Sequence, residues 1–499
     1  MKGLKETIPV KNPNQYNGES LHISPHTKAL QGTGNQVNTN NKKVYIETYG
    51  CQMNFADSEV VASILKKEGY ELTDNSKEAN LVLLNTCSIR DKAEQTVRNK
   101  LKNFNSLKKH NNKLKVGLLG CMAERLKEKL IEEEQVIDLV VGPDSYKDLP
   151  NLLNEVEHNQ KAVNVILSKS ETYGDISPVR IHNNGINAFV SITRGCDNMC
   201  TFCIVPFTRG RERSRSPESI IREIYELSEK GYREVTLLGQ NVDSYLWYGG
   251  GPKKDFIKAS NEQKKNSKRF SNLLDLIASN FPQIRIRFST SNPQDMTIDV
   301  LEIMAKYNNI CNHIHLPIQS GSDRILKKMN RLHTRQEYLE LIKKIREIIP
   351  NCGISHDIMT GFPSETEKDH QDTLTLMEEV KYDFGYMFAY SERPGTYAAR
   401  NFRDDIKKEI KQRRLEEIIN LQQKHSKERN QKFLNLTCPV LIDKSSKKSD
   451  GFWSGRTSEN NVVVFPKENY SPGDIVQVTI EDFTSATLIG KATKKSLAI

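Results

Sequence analysis

The stretch AFVSITRGCDNMCTFC, residues 188–203, decides how this chain reads. Its first half is apolar and partly β-branched and ends in Gly195, the pattern of a buried strand running into a turn. Cys196, Cys200 and Cys203 follow at once in a C-x3-C-x2-C pattern. Open α/β sheets and barrels carry their ligand sites at the carboxyl ends of strands. Soft thiolates at this spacing suit a [4Fe–4S] cluster or zinc. Three ligands, rather than four, leave one iron of a cubane open to an exogenous chelating ligand. The competing structural readings are a three-cysteine zinc site completed by a distant histidine, and buried filler cysteines.

Outward from that stretch the strand–helix alternation continues. Further candidate strands are EVTLLGQ (234–240), IRIRFST (284–290), HIHLPI (313–318), GISHDIMTG (353–361) and FGYMFAY (384–390). Helical spacing is found at Pro217–Lys230, Ile298–Tyr307, Thr334–Ile349 and Ser364–Val380. Six βα units predict a (β/α)6 partial barrel over 182–432. Within it, 248–270 is a basic, Gly-rich insertion that reads as a solvent loop, and 404–432 reads as a long charged helix. Upstream, the apolar runs 44–50, 81–86, 116–120 and 136–142 alternate with helical stretches such as Asp57–Gly69 and Asp91–Leu107. This predicts a doubly wound parallel-sheet domain over 43–170, so the chain is α/β in class. Residues 434–497 switch to short strands with turn signals, which predicts a small all-β, OB-like antiparallel barrel. Residues 1–42, rich in Asn, Gln, Gly and Lys, read as a disordered extension.

A second cysteine set is dispersed. Cys51 ends VYIETYGC, Cys87 ends LVLLNTC and Cys121 ends VGLLGC, spaced 36 and 34 residues apart. Adjacent parallel strands bring their carboxyl ends together, so one cysteine per strand end predicts convergence at one sheet edge. Gly50 and Gly120 allow tight turns there. The alternative is ordinary buried cysteine. Cys311, Cys352 and Cys438 lack any such pattern and read as filler.

Composition bounds the rest. The chain has 499 residues, 73 Lys+Arg against 63 Asp+Glu, a net charge of +10, nine cysteines and 36% hydrophobic residues. That is enough apolar content for packed cores. Nothing approaches the roughly 18 apolar residues of a membrane span. The N-terminus shows no apolar signal region, so a cytoplasmic protein without a disulfide framework is expected.

With both cysteine sets placed, the chain resembles the radical SAM methylthiotransferases, and among them the MiaB group. The motifs are TRGCDNMCTFCIVPFTRGRERSR (193–215), YGCQMN (49–54), NTCSIR (85–90), GCMAER (120–125), HLPIQSGS (315–322) and GFPSET (361–366). The resemblance covers 43–497, and GRTSENNVVVF (455–465) points to a TRAM domain, an RNA-binding module of this family. It implies methylthiolation of C2 of N6-isopentenyladenosine at position 37 of tRNA. It also implies two [4Fe–4S] clusters. The one on Cys196, Cys200 and Cys203 would cleave S-adenosylmethionine to a radical that abstracts the C2 hydrogen. The auxiliary one on Cys51, Cys87 and Cys121 would supply sulfur, with a second S-adenosylmethionine supplying methyl. An unactivated C2–H gives acid–base chemistry little to work on, and no catalytic residue beyond the cluster cysteines is nominated. No H-E-x-x-H, Walker loop or nucleophile elbow is present.

Other barrel strand ends offer S-adenosylmethionine contacts: Gly239, Gln240, Asn241, Ser289, Ser291, Asp357 and Tyr390. Each has a turn or cap as its alternative. For the tRNA anticodon loop, Arg209, Arg211, Arg213 and Arg215 are candidates, or else a structural arginine network. Phe452, Trp453, Arg456 and Phe465 could stack on bases or sit in a core. The last unit, with 8 Lys/Arg against 7 Asp/Glu over 439–499, is no strong electrostatic anchor. The Lys-rich 252–268 reads as a solvated face with a possible assisting role. An electron donor and a sulfur source are required partners, and a monomer is expected. Rival readings are a methylthiotransferase for threonylcarbamoyladenosine in tRNA or for a ribosomal-protein aspartate, and a non-catalytic iron–sulfur RNA-binding protein.

Overall fold

A computed structural model describes residues 42–88, 91–181, 184–447 and 449–495. The extension read at 1–42 lies outside the described residues, except Lys42, which opens the first strand. No helix among the described residues is long and apolar enough to cross a membrane.

The first unit is a six-stranded sheet of β1 (Lys42–Tyr49), β2 (Tyr70–Leu72), β3 (Leu81–Thr86), β4 (Lys115–Gly120), β5 (Leu139–Val141) and β6 (Ala162–Asn164). Its order is β2-β1-β3-β4-β5-β6 and every pairing is parallel. β3 is buried along its whole length, which is why LVLLNT reads as a continuous apolar run rather than an alternating one. β2 and β6 have three residues each, too few to register as periodicity. Helix α1 (Gln52–Lys67) starts five residues before the expected Asp57. Its first turns are buried against both the sheet and the next domain, so they lack the polar face that marks a surface helix.

The second unit holds six strands in chain order: Asn187–Ser191, Glu234–Leu238, Arg285–Ser289, His313–His315, Gly353–Thr360 and Phe384–Ala389. They form two three-stranded parallel sheets. The seam between them is closed by Ile286 N to Asn309 O (2.8 Å), Cys311 N to Ile286 O (2.9 Å) and Ser291 N to His315 O (3.1 Å). This is the expected partial barrel. The helix Lys408–Gln431 packs across its last strand. The insertion 248–270 differs from a plain loop. It contains a 3-10 turn at Lys253–Lys258 and a short helix at Asn261–Asn266, capped by Ser260. Its ends are tied by Leu246–Trp247 pairing with Lys268–Arg269. Local capping builds this structure, and no apolar stripe advertised it.

The last unit is a closed five-stranded barrel. One feature corrects the antiparallel expectation: Val462–Pro466 pairs in parallel with Leu488–Lys495. Strand direction at closure is a non-local property that local alternation does not encode. This barrel docks on the amino ends of the second unit's strands. Arg285 donates to the carbonyls of Arg456 (3.1 Å) and Thr457 (2.9 Å), and Arg287 to those of Thr457 (2.6 Å) and Ser458 (3.1 Å). Glu234 lies between the two guanidiniums at 3.5 and 2.8 Å. The cysteines sit at the opposite, carboxyl ends.

Candidate iron–sulfur and cofactor site

The order of the first sheet reverses between β1 and β3, the switch point where open α/β sheets form their crevice. Cys51 and Cys87 follow those two strands, and Cys121 follows β4. The crowding is real: a Cβ on Gly50, at φ +123°, would stand 2.3 Å from the Cys87 Cβ. Cys51 Sγ lies 3.1 Å from Asn54 Oδ1, and the Cys87 thiol bonding to Cys51 brings Cys51 down to about 6 against the effect of burial. Burial pushes the Cys121 thiol up, opposed by Arg209, whose Nε donates to Cys121 Sγ at 3.2 Å.

Cys196, Cys200 and Cys203 lie in the loop after the first barrel strand and are partly exposed. Gly195 is forced by packing there, since a Cβ would meet the Arg211 carbonyl at 2.2 Å. Burial raises the Cys196 thiol and pushes Cys203 up to about 12. The two cysteine sets meet at the domain junction, where helix Val205–Arg209, just after Cys203, packs on helix Cys121–Leu126. Arg331, which the sequence reading missed, donates to Cys200 Sγ at 3.7 Å. It arrives from a loop far along the chain, and no motif marks it.

All nine cysteines are free thiols. Among the described residues, no three His, Cys, Asp or Glu side chains are placed to share a single metal ion. A cubane makes a different demand, because each thiolate takes its own iron. Two sets of three soft thiols, each with an arginine alongside to offset thiolate charge, suit that demand in donor chemistry.

The junction is locked by buried ion pairs. Asp57 of α1 receives Arg194 Nη1 at 2.7 Å and Arg209 Nη2 at 2.9 Å. Asp144 pairs with Arg213, and Arg194 Nε lies 3.7 Å away. Arg180 joins Glu59 (2.7 Å) to Glu223, which also holds Arg215. This corrects the arginine expectation. Arg209, Arg213 and Arg215 are buried, Arg209 and Arg213 pairing with Asp57 and Asp144 of the first domain and Arg215 with Glu223 of its own, which is the structural network rather than an RNA-facing surface. A burial requirement on a motif's arginines is invisible without knowing what α1 brings against them. Arg211 is different: 47% of its side chain is exposed, and it contacts Asp197 at 3.3 Å.

At the other strand ends, Gln240 Oε1 and Asn241 Oδ1 are buried without hydrogen-bond partners, as are Thr193 Oγ1 and Asn292 Oδ1. Asn241 Nδ2 donates to Asp295 at 2.6 Å, and Ser291 Oγ to Asp243 at 3.1 Å. Burial pushes Asp243 up to about 8. Gly239 is needed for packing, with Thr193 Oγ1 only 2.1 Å from where its Cβ would be. Ser289 is half-buried beside Thr290. Asp357 lies 3.5 Å from His315 Nε2. Tyr390 is buried in an aromatic cluster, its ring edge-on to Phe362 at 5.2 Å, and its hydroxyl has no partner. In the last barrel, Phe465 is fully buried, the core alternative of its two readings. Phe452 and Trp453 are half-buried, with Lys467 Nζ 4.4 Å from the Trp453 ring. Arg456 binds the Asn460 carbonyl at 3.1 Å within the docking loop.

Comparison with known proteins agrees with this architecture. The Radical SAM superfamily profile matches residues 190–377, the TRAM domain profile 431–493, and the profile of Uncharacterized protein family UPF0004 residues 43–142. The tRNA-2-methylthio-N(6)-dimethylallyladenosine synthase of Christiangramia forsetii is 66% identical over 95% of this chain and 96% of its own length. That of Flavobacterium psychrophilum is 65% identical over 91% and 94%. In fold, the chain is similar to the radical S-adenosylmethionine methyltransferase TsrM of Kitasatospora setae. The TM-score is 0.52 at 13% identity, covering 72% of this chain and 77% of that one. The chain belongs to the family of tRNA-2-methylthio-N(6)-dimethylallyladenosine synthases.

Proposed function

We propose that this chain methylthiolates C2 of N6-isopentenyladenosine at position 37 of tRNA; the name of its relatives, tRNA-2-methylthio-N(6)-dimethylallyladenosine synthase, supports the modified base and the group added. The observation that carries the reading is the convergence of Cys51, Cys87 and Cys121 at adjacent strand ends, with Arg209, six residues after Cys203, donating to Cys121 Sγ at 3.2 Å. Cys196, Cys200 and Cys203 would hold the cluster that engages S-adenosylmethionine, and Cys51, Cys87 and Cys121 the auxiliary cluster. When bound, these groups supply one-electron reduction, a 5′-deoxyadenosyl radical, sulfur and a methyl group. The chain's own residues supply position and environment. Gln240 and Asn241 keep buried acceptors open at a strand end, suited to a ligand's amine or hydroxyl donors. Arg331 and Arg209 place positive charge beside Cys200 and Cys121. The Asp57 pairs hold the first domain at a fixed distance from the barrel, which fixes the spacing of the two cysteine sets.

The same reading divides the chain at 43–170, 182–432 and 434–497, in accord with the separate buried cores on the two faces of the first sheet, in the partial barrel and in the last barrel. One copy brings both sets together, so a monomer suffices, with an electron donor and a sulfur source as further partners. Mass spectrometry of tRNA nucleosides from cells lacking the protein tests the proposal. The expected result is loss of 2-methylthio-N6-isopentenyladenosine with its unmethylthiolated precursor accumulating. Unchanged nucleosides sink it.

A further inference from the structure

A cavity of about 370 Å³ opens at the junction of the first two domains, lined by Ser88, Glu94, Gln95, Arg98, Arg125, Arg393 and Pro394. Its volume lies in the range of small-ligand sites and is far larger than a single small anion needs. Its position is specific. Ser88 follows Cys87 directly, so the cavity opens beside the strand end that carries that cysteine. Three guanidiniums and one carboxylate line it, contributed by both domains.

Two of the guanidiniums, Arg125 and Arg98, are held in place by partners that leave donors over. Arg125 uses Nε on Ser88 Oγ at 2.6 Å and Nη2 on Glu94. Arg98 uses Nη1 on Glu134 at 2.9 Å and Nη2 on Glu133 at 2.9 Å, with Glu94 at 3.4 Å. A guanidinium carries five N–H donors in a planar fork, so Arg125 retains Nη1 and Arg98 retains Nε. Arg393 comes from the loop after the last barrel strand and is half-buried. Glu133 and Glu134 restrain Arg98 from outside the cavity lining. Carboxylate partners hold the planar groups of Arg98 and Arg125 in place, and the N–H donors left over can each meet a phosphate oxygen.

We propose that this cavity is a phosphodiester cradle for the RNA substrate. It would hold the backbone beside the nucleotide whose base is presented to Cys51, Cys87 and Cys121. The inference rests on the tRNA reading above and adds to it where the backbone is gripped. It also answers what the buried Arg209, Arg213 and Arg215 left open, namely which arginines near the cysteines meet the RNA. A base presented for chemistry leaves its stack, and its flanking phosphates must then be held by the enzyme.

The test measures binding of an anticodon stem-loop RNA to the reconstituted full chain as a function of KCl, for the unaltered protein, Arg393→Ala and Arg393→Lys. Iron content per chain reports on folding. Arg393→Ala is expected to weaken binding about tenfold and to reduce the salt slope by roughly 0.7–0.9, the signature of one lost phosphate contact. Arg393→Lys should keep the slope. Equal loss with both variants would assign the effect to packing and overturn the cradle. Unchanged affinity and slope in Arg393→Ala, with the unaltered chain binding normally, overturns the cradle and leaves the tRNA reading standing. An unaltered chain that binds no stem-loop overturns both.

Discussion

The two cysteine sets reach one junction by opposite routes. Cys196, Cys200 and Cys203 lie within eight positions of one loop, so their proximity is a property of chain connectivity. Cys51, Cys87 and Cys121 are brought together only because β1, β3 and β4 are adjacent and parallel, at the point where strand order reverses. The first set needs only its loop to be closed correctly. The second needs a whole sheet in register. The dispersed set should therefore be the more sensitive to backbone and packing changes, and the contiguous set to changes in the loop itself.

The largest test of that contrast is independence. In a Cys196/Cys200/Cys203 triple Ala variant, iron and sulfide analysis should find about one cubane retained and S-adenosylmethionine cleavage abolished. The Cys51/Cys87/Cys121 triple Ala variant should also retain about one cubane, keep cleavage and make no methylthiolated product. Complete iron loss in either variant would mean that the sets are not separate sites. Next in size is the lock between them. Asp57→Ala leaves Arg194 and Arg209 buried without their shared carboxylate, which should cost about 3–5 kcal/mol in chemical denaturation of the full chain. A value near zero would show that the junction does not depend on that carboxylate.

A smaller effect, confined to the dispersed set, is expected from Gly50→Ala. Positive φ and the Cys87 Cβ at 2.3 Å should make it cost about 1–3 kcal/mol. Iron should fall by up to one cubane, with S-adenosylmethionine cleavage preserved. Loss of cleavage instead would reverse the assignment. The smallest effect is a slope. Burial pushes Glu124, just after Cys121, up to about 8. The native chain then holds a proton that the unfolded chain releases near pH 4.5, so this group makes stability fall as pH rises from there to about 8. Glu124→Gln should flatten that decline in denaturation curves, and an unchanged pH profile would remove Glu124 as its source.

Much of the fold was legible because buried parallel strands are written as apolar runs. The strands at 81–86 and 353–360 emerge close to where the sequence places them. The start of α1 was not legible, since its first turns are buried on two sides and carry no amphipathic stripe. The arginines of 209–215 show the same limit at the site. Their charge reads as a ligand surface, yet three of the four are consumed by Asp57, Asp144 and Glu223, acids that lie far away in sequence or behind the motif. Arg331 was missed for the converse reason, as a single residue with nothing local to mark it.

By itself the sequence determined the strand–helix alternation, the thiol triplet at 196–203 and the equivalent strand-end placement of Cys51, Cys87 and Cys121. Periodicity and spacing are local, and these features are expressed in them. Tertiary structure alone decided that the two sets approach each other and that Arg209 and Arg213 serve as an interdomain lock. It also placed the guanidiniums of Arg98, Arg125 and Arg393 around one cavity. Pairing between charges and thiols is set by which surfaces are buried together, and that depends on domain docking rather than on neighbours along the chain.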